Sequence, residues 1–246
     1  MSRIPRIYID RELAAGLDLR PDEQATRHLT RVLRLRAGAR VRVFDGRGEE
    51  REATLLSGDG GPFLRLGTPV APPPESALRI CLVQGISRGE RMDLVIQKAT
   101  ELGVAEIRPV TTGRSVVKLD RRRKQNRLDH WQGVVVAACE QCGRATLPML
   151  HAPSSLEASF RELPDRSRRW MLDAGGSGPS VQARPEGSVV LLVGPEGGLT
   201  DEEKARATKE GFTPLRLGPR IMRTETAAIA AIAAFQAVWG DLGVSP

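Results

Sequence analysis

Residues 191–203 read LLVGPEGGLTDEE: an apolar run, a glycine-rich turn carrying one glutamate, and the opening of a helix. A strand that passes through glycines into a helix N-terminus presents bare backbone N–H groups at the positive end of a helix dipole, which is the usual cradle for phosphate. The details point elsewhere. A P-loop needs Lys and Ser or Thr after its second glycine, whereas Gly197-Gly198 is followed by Leu199-Thr200-Asp201-Glu202-Glu203. A dinucleotide fingerprint needs G-x-G-x-x-G, and here the spacing is G-x-x-G-G. Glu196 would also repel a polyanion. The loop therefore suits close backbone approach to a neutral or cationic ligand, or else it is a turn whose glycines serve geometry alone.

Working outward, apolar runs alternate with amphipathic stretches. LRICLVQGI (78–86) has a buried-strand pattern, RMDLVIQKATELGV (91–104) reads as a helix closed by Gly103, and EIRPVTT (106–112) as a strand. A helix through RLDHWQGVVVAACEQC (127–142) follows, then strands RWMLDA (169–174) and SVVLLVG (188–194), a helix from Thr200, the strand TPLRLG (213–218) and a last helix. That rhythm predicts an α/β domain, with a mainly parallel sheet and helices on both faces. Ligands of such sheets bind beyond the C-terminal ends of the strands, where Leu172-Asp173, Gly194 to Gly198 and Leu217-Gly218-Pro219 all fall.

Before the proline-rich run PVAPPPESA (69–77) the pattern differs. ARVRVFDGRGEEREATLL (39–56) alternates around Asp45-Gly46 as a hairpin would, and PFLRLGTPV (62–70) reads as another strand. The division predicts a small β-rich domain over 1–72 and an α/β domain over 73–246. One helix is expected in the first, DEQATRHLTRVLRLRAG (22–38). Helical spacing puts Arg27, Arg31 and Arg34 on one face and Leu29, Val32 and Leu33 on the other. From Arg27 to Arg40 there are five arginines and no acid, which favours contact with RNA over a merely solvated face.

The formal charge of +7 and the pI near 10.0 agree with an anionic partner. No run of about 18 apolar residues and no leader-like N-terminus is present, so a soluble cytoplasmic protein is expected. Cys81, Cys139 and Cys142 cannot form an even disulfide framework, which fits a reducing compartment. Cys139 and Cys142 form a CxxC inside an apparent helix, and with three histidines in the chain the spacing favours packing over a zinc or redox site.

The second informative stretch is LGPRIMRTETAAIAAIAAFQAVW (217–239), a Gly-Pro turn leading into a helix so apolar all round that burial is expected. VGPEGGLTDEE followed by LGPRIMRTETA resembles the paired signature segments of the RsmE family, bacterial uridine-N3 methyltransferases of 16S ribosomal RNA within the SPOUT superfamily. RHLTRVLRLRAG, VFDGRG, MDLVIQKATELGV, TGRSVV and EQCGR match in order, so the resemblance covers nearly the whole chain. Cys142 and Met222 stand where Ser and Leu would be expected.

The resemblance implies a trefoil-knotted SPOUT domain, a PUA-like N-terminal β-barrel, a homodimer, S-adenosylmethionine as cofactor with no metal, and 16S ribosomal RNA or the small ribosomal subunit as partner. It places the cofactor against Leu172, Gly194, Pro195, Glu196, Gly197, Gly198, Leu217, Gly218, Ile221 and Met222. Uridine N3 is a poor nucleophile until its proton leaves, so a cation must stabilise the developing anion on the uracil carbonyls. Arg223 is the residue for that role, and Glu225 either orients Arg223 or accepts a proton. N3 lies on the pairing edge, so the target must be extruded while neighbouring RNA is held. Arg27, Arg31, Arg34, Arg114, Arg122 within RRRKQNR (121–127) and Arg144 are the candidates for that grip.

Overall fold

The computed structural model describes residues 4–115, 121–178 and 185–243; Val116 and Val117 of the TGRSVV segment lie outside them. The chain forms two compact units, Met1–Glu75 with Val136–Leu147, and Ser76–Val135 with Pro148–Pro246.

In the first unit, strands β1 (Arg6–Tyr8), β2 (Asp18–Leu19), β3 (Arg40–Phe44), β4 (Glu50–Gly58) and β5 (Gly61–Pro69) form one sheet in the order β1-β3-β4-β5-β2. β1 pairs parallel with β3 and the remaining pairs are antiparallel. Alternate residues Val41 and Val43, Ala53 and Leu55, and Leu64 and Leu66 point into one core with Ile7, Leu19 and Leu29. The expected hairpin is there: Asp45 closes it by accepting from the N–H groups of Arg47 (2.7 Å) and Glu49 (3.0 Å).

The helix expected over 22–38 is cut short. α1 spans Glu23–Arg27, a wider π-type turn covers His28–Val32, and Arg34 takes a positive φ of 53°. The helical wheel fails beyond Arg27, and Val32, placed on the packing face by that wheel, is 63% exposed. Leu29 stays buried and Leu33 packs against the core, so two of the three apolar anchors hold.

Residues 136–147 join this unit through Arg6. Its guanidinium binds Glu50 at 3.1 and 2.9 Å and donates to the carbonyls of Cys139 and of Arg144 (3.0 Å). Gly46 (φ 77°) receives Leu147 N–H at 2.9 Å, and a Cβ there would lie 2.8 Å from the Tyr8 ring. A domain boundary drawn at the proline run leaves this returning segment out, because nothing in its helical pattern distinguishes its end from its beginning.

In the second unit, β6 (Arg79–Gly85), α2 (Glu90–Glu101), β7 (Glu106–Thr111), α3 (Arg121–Cys142, whose residues from Val136 on belong to the first unit), β8 (Met149–Leu150), β9 (Ser154–Ser155), α4 (Leu156–Phe160), β10 (Ser167–Ser177), β11 (Ser188–Val193), α5 (Asp201–Lys209), β12 (Thr213–Leu215) and α6 (Thr224–Trp239) follow in turn. The sheet order is β12-β10-β11-β6-β7-β8, with β9 beside β7, and every described pair is parallel. Val190 and Leu192 share a cluster with Leu156 and Phe160 of α4 and with Ala207 of α5. The alternate residues Val189, Leu191 and Val193 are equally buried, and α6 packs on β11 and β6 and against α2. Helices therefore cover both faces, as the strand–helix rhythm predicts.

α6 departs from its expectation. Ala228, Ala231, Ile232 and Phe235 are buried, and the Phe235 and Trp239 rings lie 4.8 and 5.7 Å from Trp170, but Thr226, Ala234, Ala237 and Val238 are exposed. The helix is apolar all round and still presents one face to solvent.

Candidate functional site

β11 delivers Val193 to the end of the sheet and the chain turns at once through Gly194 to Gly198. The turn folds on itself: Gly198 N–H reaches Pro195 O at 2.8 Å, and a Cβ on Gly194 would sit 3.0 Å from the Gly198 backbone. Gly85, at the end of β6, lies so close that its Cβ would fall 2.5 Å from Pro195. Thr200 then caps α5, accepting from Glu203 N–H (3.2 Å) while the Glu203 carboxylate accepts from Thr200 N–H (2.8 Å).

Three further tethers hold this loop. Glu196 accepts from Arg88 N–H (3.0 Å) and from Arg91 (2.8 Å). Partial burial pushes its carboxyl up, but those bonds outweigh burial and hold it below the usual carboxylate range. Arg114 donates to Gly197 O at 3.0 Å, and Gly113 N–H donates to Glu203 at 2.7 Å. Thr224, the first residue of α6, donates to Gly194 O at 2.6 Å and accepts from the fully buried Gln84 at 3.0 Å.

The end of β10, the glycine loop and the start of α6 together enclose a cleft of about 520 Å³, within the range of small-molecule sites. Leu172, Gly194, Pro195, Glu196, Gly198, Ile221, Met222, Arg223 and Glu225 all line it. A hollow of about 170 Å³ beside it shares Leu172, Ile221 and Met222 and adds Leu217. Gly197 and Gly218 line neither; Gly197 is held by Arg114, and Gly218 takes a φ of 70° in the turn before α6.

Two charges stand out by their lack of partners. The exposed Arg223 has an extended backbone (φ −64°, ψ 154°) and no side-chain partner among the described residues. Glu225 keeps one oxygen, Oε2, buried and without a hydrogen bond. No bond joins the two residues, so the possibility that Glu225 orients Arg223 has no contact behind it. The cleft's other acids are matched: Asp173 pairs with Lys204 at 2.8 Å and accepts from Gly175 N–H, which together overcome burial and keep its carboxyl below the usual range.

Sequence reasoning pointed to Asp173 beside Leu172 at its strand end but missed Gln84, Arg91, Lys204 and Thr224 as parts of this site. Gln84, Arg91 and Thr224 sit inside quoted segments and Lys204 just beyond one; Arg91 and Lys204 reach the cleft from α2 and α5, and the buried Gln84 acts through Thr224, with no local signal for these roles. Of the expected RNA contacts, Arg27, Arg31, Arg34 and Arg122 are exposed and have no carboxylate partner among the described residues. Arg114 lines the cleft, and Arg144 is largely covered and paired with Glu75 through two bonds. No cluster of possible metal ligands and no helix able to cross a membrane occurs among the described residues.

The model of an RNA methyltransferase domain matches residues 74–236, and that of an RNA methyltransferase PUA domain matches 21–64. The ribosomal RNA small subunit methyltransferase E of Buchnera aphidicola (strain Sg) is 31% identical over 98% of both chains. The chain belongs to the RsmE family. The Neisseria gonorrhoeae member, solved bound to S-adenosylmethionine, is 36% identical and superposes with a TM-score of 0.90 over 98% of this chain and 100% of its own. A methyltransferase of Legionella pneumophila, also solved with S-adenosylmethionine, is 38% identical with a TM-score of 0.91 over the same shares. The 520 Å³ cleft combines glycines that leave room for close backbone approach with unpaired groups of both signs.

Proposed function

We propose that the protein transfers a methyl group from S-adenosylmethionine to N3 of a uridine in 16S ribosomal RNA. The observation that carries this reading is the cleft where an unpaired arginine and a carboxylate with an orphaned buried oxygen meet a tightly tethered glycine loop. The fit to the cofactor is physical. Gly194 and Gly198 leave backbone room, Leu172, Ile221 and Met222 offer apolar surface, and Glu225 places negative charge near a ligand that carries a sulfonium. S-adenosylmethionine supplies the electrophilic methyl group when bound.

The chain's own residues position and polarise. Arg223, unengaged by protein, faces the developing negative charge on the uracil carbonyls, and Glu225 Oε2 is placed to accept the N3 proton. Thr224, between them, ties the start of α6 to Gly194 and so fixes both relative to the cofactor loop. Glu196, neutralised by Arg91, holds the loop and leaves the cation-facing role to Glu225.

The same reading includes a homodimer, which the exposed apolar face of α6 supports; it also includes the family's knot through the last strands and a cytoplasmic location alongside the ribosomal subunit. It retains residues 1–72 as the PUA-like domain and 73–246 as the catalytic one. Arg223→Ala tests its centre. Transfer at saturating cofactor should fall by at least about a hundredfold, the loss seen when one anion-stabilising donor is removed, while calorimetry shows cofactor affinity nearly unchanged. Normal turnover with lost cofactor binding would refute the assignment. Mass spectrometry of 16S ribosomal RNA from a deletion strain identifies the base: a methyluridine should vanish and return on complementation.

A further inference from the structure

Gly197 is the glycine of the loop that the cleft does not explain. It lines neither the cleft nor the hollow beside it, and its φ lies outside the left-handed region, so its backbone suits any residue. What a side chain there would meet is Arg114: a Cβ on Gly197 would lie 3.1 Å from Arg114 Cβ and 3.6 Å from Arg114 Cδ. Gly113 is the matching case on the other side of the contact. Its φ is likewise outside the left-handed region, and its Cβ would lie 3.2 Å from Thr200 Cγ2. Two glycines, one on each segment, thus let the turn after β7 approach the segment from Gly197 to Glu203.

That turn is closed by its own bonds. Ser115 N–H donates to Thr112 O at 2.9 Å, and Thr112 N–H donates to Ser115 Oγ at 3.0 Å. Arg114 is therefore presented by a preformed turn. Two bonds then join the segments: Arg114 Nη1 donates to Gly197 O at 3.0 Å, and Gly113 N–H donates to Glu203 Oε1 at 2.7 Å. The other oxygen of Glu203 accepts from Thr200 N–H at 2.8 Å, so one carboxylate ties the turn to the cap of α5, just beyond the glycine loop.

We propose that Arg114 is a positioning residue for the cofactor loop and not a grip on RNA: from the end of β7 it fixes Gly197, and with it the backbone from Gly194 to Gly198. This inference rests on the methyltransferase reading above. The loop has anchors on three sides, Glu196 from α2 through Arg91, Gly194 from α6 through Thr224, and Gly197 from the β7 turn through Arg114. A loop ordered before its ligand arrives spares the ligand the entropy of ordering it, so a lost anchor is read as weaker cofactor binding. Arg27, Arg31 and Arg34 stand without a carboxylate partner among the described residues, whereas the Arg114 guanidinium is already held by a carbonyl of its own chain.

Calorimetric titration of the full chain with S-adenosylmethionine tests it. Arg114→Ala should raise the cofactor Kd about fivefold, the worth of one hydrogen bond, and leave the log–log salt slope of binding to single-stranded RNA unchanged. Gly197→Ala should weaken the cofactor similarly, because a methyl group there displaces Arg114 and breaks the same bond. The doubly substituted chain should then bind no more weakly than the weaker single variant. Arg114→Lys, which keeps a donor, should recover most of the affinity. Unchanged cofactor affinity in Arg114→Ala, a salt slope lowered by about 0.7, or fully additive effects of the two substitutions would overturn the proposal. Failure of the unsubstituted chain to bind the cofactor would overturn the methyltransferase reading and this inference with it.

Discussion

Arg223, Thr224 and Glu225 are consecutive and do three different things. Arg223 points to solvent unpaired, Thr224 is buried against Gly194, and Glu225 keeps an orphaned oxygen in the cleft. Asp173 illustrates the opposite condition, a cleft carboxylate fully engaged by Lys204 and Gly175. Its folded-state pKa lies below the ordinary aspartate value, so its stabilising contribution is fully present above that value and disappears as pH falls through the lowered one. Urea midpoints measured from about pH 6 to pH 2.5 should therefore drop less in Asp173→Asn than in the unsubstituted chain. An identical acid limb in both would show that the Lys204 pair does not stabilise the fold. At this scale the sequence displayed many of the residues that line the cleft but not their states. Glu196 looked like the carboxylate available to a cation, and only the positions of Arg88 and Arg91 reveal that it is already satisfied.

The regular elements were the most legible level. The strand–helix rhythm anticipated β6, α2, β7, β10, β11, α5, β12 and α6, because parallel strands buried on both faces read as continuous apolar runs. The short β8, β9 and α4, two to five residues each, lack enough periodicity to register. α1 misled because a π-type turn shifts the phase of every later side chain, and nothing in HLTRV announces it. α6 misled in a more useful way. Its Thr226, Ala234, Ala237 and Val238 face solvent on a helix whose opposite side is packed solidly by Ile232, Phe235 and the Trp170 cluster. A small-residue, mostly apolar stripe exposed on α6 suits close helix approach by a second copy. Ala237→Glu should shift sedimentation from dimer to monomer without altering the circular dichroism spectrum. A wild-type chain that sediments as a monomer at micromolar concentration would remove the dimer from the proposal.

At the level of the whole molecule, charge is the property that the sequence states most directly and locates least. The formal charge is +7, yet many arginines are spent internally: Arg6 on Glu50, Arg91 on Glu196, Arg108 on Glu106 and Glu162, Arg144 on Glu75. Counting basic residues cannot separate these from the ones left to bind phosphate. Position can. Arg27, Arg31 and Arg34 are exposed without a carboxylate partner among the described residues, even though the π-type turn has moved them off the single helical face. Each phosphate they neutralise releases counterions and adds about 0.7 to 0.9 to the log–log salt slope of RNA binding. Replacing all three with alanine should therefore lower that slope by about 2 and weaken binding to unrelated RNA sequences equally. Arg144→Ala provides the contrast: because its guanidinium is held by Glu75, its loss should leave the slope unchanged and instead lower the unfolding midpoint. Filter binding across a salt series separates the two. If the triple variant kept the full slope while Arg144→Ala reduced it, the RNA grip would lie on the covered arginine and not on the exposed ones.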